Sequence, residues 1–201
     1  MTQRLLDPRM FDTGTALPAM SGANLTGLPT VFDAISTTAI SGAECVISGL
    51  TTHDNYMFVV TNMEPATHVA QYLNISTDNG STWVSSEVSY AFHGYSRTGV
   101  SSLMYGYTAG SPTNVRYTIG NLAYPTNLTM MVYGSRDGLN LTSGLMQIAS
   151  DNSGANGYYA GYDGWWRYPD VSNINAYRFR PASGTFNAGG TVCVYGFDNP
   201  A

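Results

Sequence analysis

Six aromatic side chains fall within the short stretch from residue 158 to residue 168. They are Tyr158, Tyr159, Tyr162, Trp165, Trp166 and Tyr168. Exposed Trp and Tyr rings can stack on the apolar faces of sugars, while neighbouring Asn and Asp side chains bond the hydroxyl groups. The same rings can instead fill the core between two sheets or a subunit interface. The stretch therefore indicates either a glycan-binding site or aromatic packing, and the sequence leaves both open.

Other chemistry has little support in the sequence. His53, His68 and His93 each lie beside turn residues, and none has a second ligand at the spacing of a zinc site. There is no nucleophile elbow and no Gly-rich phosphate loop. Segment 151–157 is rich in oxygen ligands but lacks the closing Glu of a calcium loop, so we interpret it as a hairpin tip. We predict a non-enzymatic protein with no catalytic residue, no metal and no cofactor.

The composition is unusually poor in charge. Only 10% of the 201 residues are charged, against roughly 25% in ordinary soluble domains. All eight basic residues are Arg, they are dispersed, and the net charge is −5. A nucleic-acid partner is therefore not expected, because phosphate binding requires clustered cations. Membrane insertion is not expected either, because no apolar run approaches the ~20 residues that span a bilayer. The N-terminus lacks the apolar core of a secretory signal, which predicts assembly inside a cell.

Strand-like runs alternate with turn clusters from residue 43 onward. This spacing predicts an all-β fold, a jelly-roll-like antiparallel β-sandwich over residues 43–201. The run Tyr56–Val60 is apolar on both faces, as in a covered strand. The predicted strands are 44–49, 55–62, 69–76, 83–90, 99–107, 114–122, 128–134, 144–150, 157–162, 174–180 and 191–197. The predicted tight turns are Asp78-Asn79-Gly80, Asp137-Gly138, Asn156-Gly157 and Asp163-Gly164.

The last two predicted strands carry the clearest alternation. In 174–180, Asn175, Tyr177 and Phe179 share one face, while Arg178 and Arg180 share the other. A Gly-rich connector separates this run from 191–197, which predicts that the two strands form a closing hairpin. Cys193 in the last strand and Cys45 in the first are expected to be small buried hydrophobes. Their pairing in a disulfide is left open.

Residues 1 to about 30 differ from the rest of the chain. Gly, Pro, Ser and Asn recur so often that neither helical nor strand periodicity survives, yet apolar side chains are regularly placed. These features predict an extended N-terminal arm over 1–42 that lies on another protein surface. A short helix or turn is expected at 30–36. The predicted docking residues of the arm are Leu17, Pro18, Met20, Leu25 and Leu28.

Three segments together resemble parts of tailed-bacteriophage virion surface proteins. The leader 14–28 resembles the "ALPAxxGSxLTGL" segments of these proteins, and 73–83 resembles their strand-turn-strand "STDxGSTW". Segment 174–197 resembles their terminal "IRFRFSSGxxxxGTxxLYG" run, from which it departs at Pro181. The matching residues of this last segment are Tyr177-Arg178-Phe179-Arg180, Ser183-Gly184, Gly190-Thr191 and Tyr195-Gly196.

The resemblance implies a jelly-roll or sandwich domain, often trimeric, that an N-terminal arm displays on a virion. Such domains occur in tail fibres, tail tips and capsid decoration proteins, and they are assembled in the host cytoplasm. The expected partners are other virion proteins of the capsid or tail, further copies in a homotrimer and, in the alternative, a host-surface glycan bound by an adhesin. Low charge suits such a protein because many copies pack closely without mutual repulsion.

Overall fold

The computed structural model describes residues 32–84, 88–96, 101–107, 115–116, 124–135, 142–152, 158–170 and 172–199. Within these ranges the regular elements are all β-strands. No helix in the described part of the chain has the length and hydropathy needed to cross a membrane. The strands are β1 (Asp33–Gly42), β2 (Cys45–Ile47), β3 (Asn55–Met63), β4 (Gln71–Ser76), β5 (Ser89–Ser96), β6 (Ser101–Tyr107), β7 (Val115–Arg116), β8 (Thr126–Tyr133), β9 (Ser143–Asn152), β10 (Tyr158–Arg167), β11 (Ala176–Pro181) and β12 (Phe186–Phe197).

The strands form two antiparallel sheets. The large sheet has eight strands in the order β1-β12-β3-β8-β9-β10-β5-β6, and the small sheet has four in the order β2-β11-β4-β7. The inner faces of the two sheets share one apolar core. This arrangement confirms the prediction of an all-β, jelly-roll-like antiparallel sandwich.

Aromatic rings from both sheets meet at the centre of the core. Phe58 of β3 lies with its ring centroid 4.8 Å from that of Tyr177 of β11, and Trp166 of β10 lies 6.4 Å from the same ring. All three side chains are fully buried. Offset and edge-to-face contacts of this kind add to the free energy gained from burying the rings. The sheets are thus joined by apolar packing at the centre of their inner faces.

The period-two pattern of β11 agrees with the sequence prediction. Tyr177 and Phe179 point into the core, while Arg178 and Arg180 lie half-buried on the outer face of the small sheet. Pro181 is the last residue of this strand and pairs with Gln71. A strand end is one of the places where proline's missing N–H is tolerated.

The predicted closing hairpin is wrong. β11 pairs with β2 and β4 in the small sheet, whereas β12 pairs with β1 and β3 in the large sheet. The connector bonds to the segment before β4 instead of closing a turn. The Ala182 N–H donates to the carbonyl of Ala70, and the Ala66 N–H donates to the carbonyl of Thr185. These bonds hold the connector at the edge of the sandwich, where the chain passes from the small sheet to the large sheet.

The sandwich begins earlier than the sequence indicates. Residues 33–42, assigned to the arm and partly to a short helix, form β1 and pair with β12, with Ala39 opposite Thr191. The arm as predicted therefore extends too far, and the short helix or turn predicted at 30–36 is wrong for residues 33–36, which lie in β1. β1 lacks a clear apolar alternation because only Ile40 is buried in it. The rest of the arm lies outside the described residues.

The turn predictions have different outcomes. Asp78-Asn79-Gly80 is a turn, with φ of 61° at Asn79 and 87° at Gly80. Asp163-Gly164 is not, because both residues lie inside β10 and pair with β9 on one side and β5 on the other. Two complete hydrogen-bond ladders override the local turn preference. The predicted turns at 137–138 and 156–157 lie outside the described residues.

Most of the remaining strand predictions agree with the structure, with one displacement. The strand placed at 83–90 is instead β5 at Ser89–Ser96, and Trp83 and Val84 precede it outside any strand. Both cysteines are free. Cys45 is buried in β2, as expected, and burial raises the pKa of its thiol to about 11. Cys193 lies half-buried on the outer face of the large sheet, so the two thiols belong to different sheets.

Candidate functional site: the outer face of the large sheet

The predicted aromatic cluster is divided by the alternation of β10. Trp165 points outward and is 42% exposed, whereas Trp166 points inward and is 0% exposed. Tyr168 follows the strand and packs partly buried against the core. Trp166 thus packs in the core between the two sheets, which is one of the two roles that the sequence left open for these rings. Of the two indoles, only that of Trp165 can contact a ligand. The side chains of Tyr158, Tyr159 and Tyr162, and the arm residues Leu17, Pro18, Met20, Leu25 and Leu28, lie outside the described residues.

Trp165 ends a row of apolar side chains that crosses five strands of the large sheet. Each member is directly opposite the next in the strand register, from β12 through β3, β8 and β9 to β10. Side chains directly opposite one another on antiparallel strands share a face and touch. We call this set the apolar row: Tyr195, Met57, Met131, Leu145 and Trp165. Leu145 is the most exposed side chain of the apolar row, at 55%.

Three aromatic rings adjoin one end of the apolar row. The Phe197 ring centroid lies 5.1 Å from that of Phe32 and 6.1 Å from that of Tyr133. Phe32 and Tyr133 are exposed. The rings extend the apolar surface toward the edge strand β1, where Ile35 is also exposed. Of the six large hydrophobic side chains that are exposed in the described structure, Tyr133, Leu145 and Trp165 lie on this face, Phe32 and Ile35 lie near it at β1, and Val46 lies on the small sheet.

A row of polar side chains runs beside the apolar row. On each strand the polar residue is two positions away from the member of the apolar row. Thr129, Gln147 and Asp163 lie directly opposite one another on β8, β9 and β10. Beyond them, Ala149 of β9 pairs with Gly161 of β10. A Cβ added at Gly161 would meet nothing within 4 Å, so this pair of small residues leaves a depression in the face. The depression measures about 410 Å³, within the range of small-molecule sites.

Charge is sparse across this face. On the strands from β12 to β10, the outward side chains that the structure describes are charged only at Asp163 and Arg167. A surface of this kind can approach another neutral surface with little cost of removing ions from water. The face can therefore bind by apolar burial and by neutral hydrogen bonds from Gln147, Thr129 and Asn127.

The histidines do not assemble a metal centre in the described part of the chain, where no group of three or more His, Cys, Asp or Glu side chains could hold a metal ion. His53 lies between two carboxylates, with Nδ1 3.3 Å from Asp198 and Nε2 3.8 Å from Asp33. His68 packs edge-on against Tyr124. His53 thus connects the start of β1 with the residue after β12, a structural role.

Sequence reasoning missed four of the five members of the apolar row. The signal was present in consecutive apolar pairs, such as Leu145-Met146 and Met130-Met131, where a strand with one solvated face would carry a polar residue. Such pairs show that both faces are apolar. They do not show that the outward members from five strands lie in one row, because that depends on the strand order.

Comparison with protein-family models, with curated proteins and with solved structures finds no match to this chain.

Proposed function

We propose that the protein is a non-enzymatic structural component of a tailed-phage particle, in a short tail fibre, a tail tip or the capsid decoration. In this proposal the outer face of the large sheet packs against further copies of the chain in a trimer, and residues 1–32 dock the domain to the particle. The three resembling segments and the β-sandwich support it. The apolar row carries it.

An apolar row of this extent favours a protein partner. Monomeric proteins seldom expose contiguous apolar patches of this kind, and aromatic residues and Met are enriched at the centres of interfaces. The face runs over six strands, from β1 to β10 in the order of the sheet. With strands spaced ~4.8 Å apart and about eight residues long, its area is about 750 Å². A stable interface needs about 800 Å² from each partner. The outer face is thus of the size that one interface requires.

Copies of the same chain fit this face better than a charged partner does. Only 10% of the residues are charged, so two or three copies meet without a large electrostatic penalty. The row runs from Trp165 to Tyr195, and the rings of Phe32 and Phe197 adjoin its Tyr195 end near the edge strand β1, which lets neighbouring copies share a continuous apolar surface.

Sedimentation of the full chain tests the association. We expect an oligomer that dissociates in Leu145→Asp, because a buried unpaired carboxylate at the centre of the row is costly. The matched control is Val46→Asp, which places the same charge at an exposed apolar position of the small sheet and should leave the oligomer intact. A wild-type protein that sediments as a monomer, or a Leu145→Asp variant with the mass of the wild type, would contradict the proposal.

Deletion of residues 1–29 tests the docking arm separately. The cut precedes β1, so we expect the shortened chain to fold and associate but to be lost from particles. Full incorporation of the shortened chain would show that the predicted residues Leu17, Pro18, Met20, Leu25 and Leu28 do not anchor it.

Glycan binding is a second candidate, favoured by the position of Trp165 beside the depression. Its indole lies one row away from Gln147 and Asp163, so a sugar stacked on the ring can place hydroxyl groups near both polar side chains. A glycan array with Trp165→Ala tests this, and Tyr133→Ala, an exposed ring on β8 two strands away, is the control. Binding that survives Trp165→Ala would remove the candidate.

A further inference from the structure

The large sheet has two long edges, one at each end of its strand order. β1 has ten residues and β6 has seven, and within the described ranges each pairs with one neighbour, β12 and β5 respectively. An edge strand directs the N–H and C=O groups of every second residue away from the sheet, where a further strand can pair with them. The edges of the small sheet offer far less backbone, because β2 has three residues and β7 has two.

Neither long edge carries the charge that usually protects an edge strand from pairing. The sequences of β1 and β6 contain no Lys, Arg or Pro, and Asp33 at the start of β1 is the one charged residue of the two strands. Register shifts interrupt the pairing of β1 with β12 near both ends, but residues 36–40 between them stay in continuous register. Five residues are the length of an ordinary strand, so β1 keeps enough regular backbone to pair on its other side.

The side chains of β1 leave its edge open to a further strand. Residues 33–37 are all exposed, so both faces of the strand meet solvent there. Phe32 and Ile35 are among the exposed large hydrophobic side chains. A strand added beside β1 would cover part of this apolar surface as well as pair with the backbone, which adds the free energy of apolar burial to that of the hydrogen bonds.

The directions of the strands make the two edges complementary. All neighbours in the large sheet are antiparallel, so strand direction alternates from one end to the other. Because the sheet has eight strands, its first and last strands run in opposite directions. A rotation axis along the strands leaves these directions unchanged. β6 of one copy and β1 of the next therefore meet antiparallel, as all other neighbours in the sheet do, whereas an odd number of strands would bring them together in parallel.

The register places one residue of each edge at the two ends of a single row on the outer face. Its members lie directly opposite one another on neighbouring strands, except across the register shift of β3 that follows Val60. In the order from β6 to β1, the row is Ser102, Tyr95, Gly161, Ala149, Asn127, Thr61, Thr191 and Ala39. When the middles of β6 and of the next copy's β1 are aligned, Ser102 comes beside Ala39, and the row continues into the next copy.

We infer that β1 of one copy pairs with β6 of the next, so that the large sheet continues from copy to copy. The inference rests on the proposed association of copies, to which it adds a backbone contact. In a ring of three, both edges of each copy are paired, whereas a β1–β1 contact across a two-fold axis would leave the β6 edges open. The ring that agrees with the proposed association has the outer faces turned toward its axis, where the apolar rows of the copies face one another.

Hydrogen–deuterium exchange of the full chain tests the edge contact separately from the contact between faces. The reference is the dissociated Leu145→Asp variant. We expect about half of the backbone amides in 33–42 and in 101–107 to exchange more slowly in the wild-type oligomer, because alternate amides of an edge strand point toward the added strand. Segment 55–63 is the control, since β3 is paired on both sides within one copy and should exchange alike in both proteins.

The two contacts can fail independently in this experiment. A wild-type oligomer in which both edge segments exchange as fast as in Leu145→Asp would contradict the edge contact and leave the association of the outer faces intact. A monomeric wild type would overturn both.

Cross-linking identifies which strands pair, and it does not require a dissociated reference. Ala39→Cys and Ser102→Cys are introduced together in a Cys193→Ser background, where the remaining thiol, Cys45, is buried. A short bismaleimide should then join copies into species of up to three chains. Within one chain the two positions are seven strand spacings apart, about 34 Å along the sheet, so the reagent does not link them.

Single variants and a displaced pair complete the test. Ala39→Cys alone and Ser102→Cys alone should stay as single chains, and so should the control pair Val46→Cys with Ser102→Cys, because Val46 lies on the small sheet. Efficient cross-linking of Ala39→Cys alone would show a β1–β1 contact across a two-fold axis and overturn the inference. Absence of cross-linked chains in the Ala39→Cys/Ser102→Cys variant would overturn it as well.

Discussion

The indole of Trp166 lies directly over Gly144, its register partner on the neighbouring strand β9. A Cβ built on Gly144 would overlap the indole nitrogen and the adjoining ring atoms. The same nitrogen donates to Sδ of Met130 at 3.4 Å, and the ring is fully buried. The largest side chain of the core therefore depends on the absence of a side chain at one position.

Gly144→Ala should destabilise the protein by about 3 kcal/mol, because the indole must leave its site or the strands must separate. Urea unfolding measures the change. Gly161→Ala is the matched control, since it lies on the outer face of the adjoining strand with open space above it, and should change stability by less than about 0.5 kcal/mol. Equal stabilities of the two variants would show that the indole does not occupy this position.

Asp78 makes the stability of the protein depend on pH in the acidic range. Hydrogen bonds from the side chain and backbone of Thr82, and from Ser76, lower the pKa of this carboxyl to about 2 from its ordinary 3.8. The folded pKa of Asp78 is below the unfolded one, so its carboxylate stabilises the folded state. This contribution to the free energy of unfolding is complete above about pH 4 and is lost as the pH falls from 3.8 to 2.

Asp78→Asn should therefore be less stable than the wild type at neutral pH, and the difference between the two should shrink as the pH falls toward 2. Urea unfolding at several pH values measures it. Thr82→Val removes only the hydroxyl donor and should give a smaller effect of the same sign. A difference that does not change with pH would show that the carboxylate is not held by these bonds.

The two thiols should react at very different rates. Cys193 is half-buried on the outer face, where the Thr37 hydroxyl lies 3.6 Å from its sulfur, whereas Cys45 is buried. In the dissociated Leu145→Asp variant, a thiol reagent at neutral pH should modify Cys193 in the folded protein and Cys45 only on unfolding. Mass spectrometry of the labelled peptides identifies the site. Labelling of both at one rate would contradict the placement of Cys45.

Burial of Cys45 also predicts a loss of stability in alkali. Its folded pKa of about 11 exceeds the ordinary value of 9.0, so the folded thiol stays protonated where the unfolded one ionises. Stability therefore falls as the pH rises from 9 toward 11. In Cys45→Ala this fall should be smaller, as measured by urea unfolding at the two ends of that range.

Ser135 forms a buried polar junction between the two sheets. Its Oγ donates to the carbonyl of Ile174 at 2.6 Å and lies 3.2 Å from the hydroxyl of Tyr177. Ser135→Ala leaves the Ile174 carbonyl and the Tyr177 hydroxyl buried without this hydrogen-bond partner, so it should lower the free energy of unfolding by about 2 kcal/mol. Ser81→Ala, at an exposed turn position, is the control and should be neutral within about 0.5 kcal/mol. A neutral Ser135→Ala would show that these groups find other partners.

Local patterns in the sequence predicted the fold class and the orientation of many side chains. The alternation in 176–181 was enough to place Tyr177 and Phe179 in the core and the two arginines outside, because successive residues of a strand point to opposite faces. The positive-φ turn at Asn79-Gly80 was likewise readable, since few residues tolerate that conformation.

The pairing of strands was decided only by the tertiary structure. Alternation shows which face a residue occupies but not which strand lies beside it, so β11 and β12 were predicted to form a hairpin although they belong to different sheets. The apolar row and the opposite directions of the edge strands β1 and β6 both follow from pairing between strands distant in sequence. The chain thus determines its inward and outward residues locally, whereas the surfaces that can bind a partner arise from long-range register, which no local pattern contains.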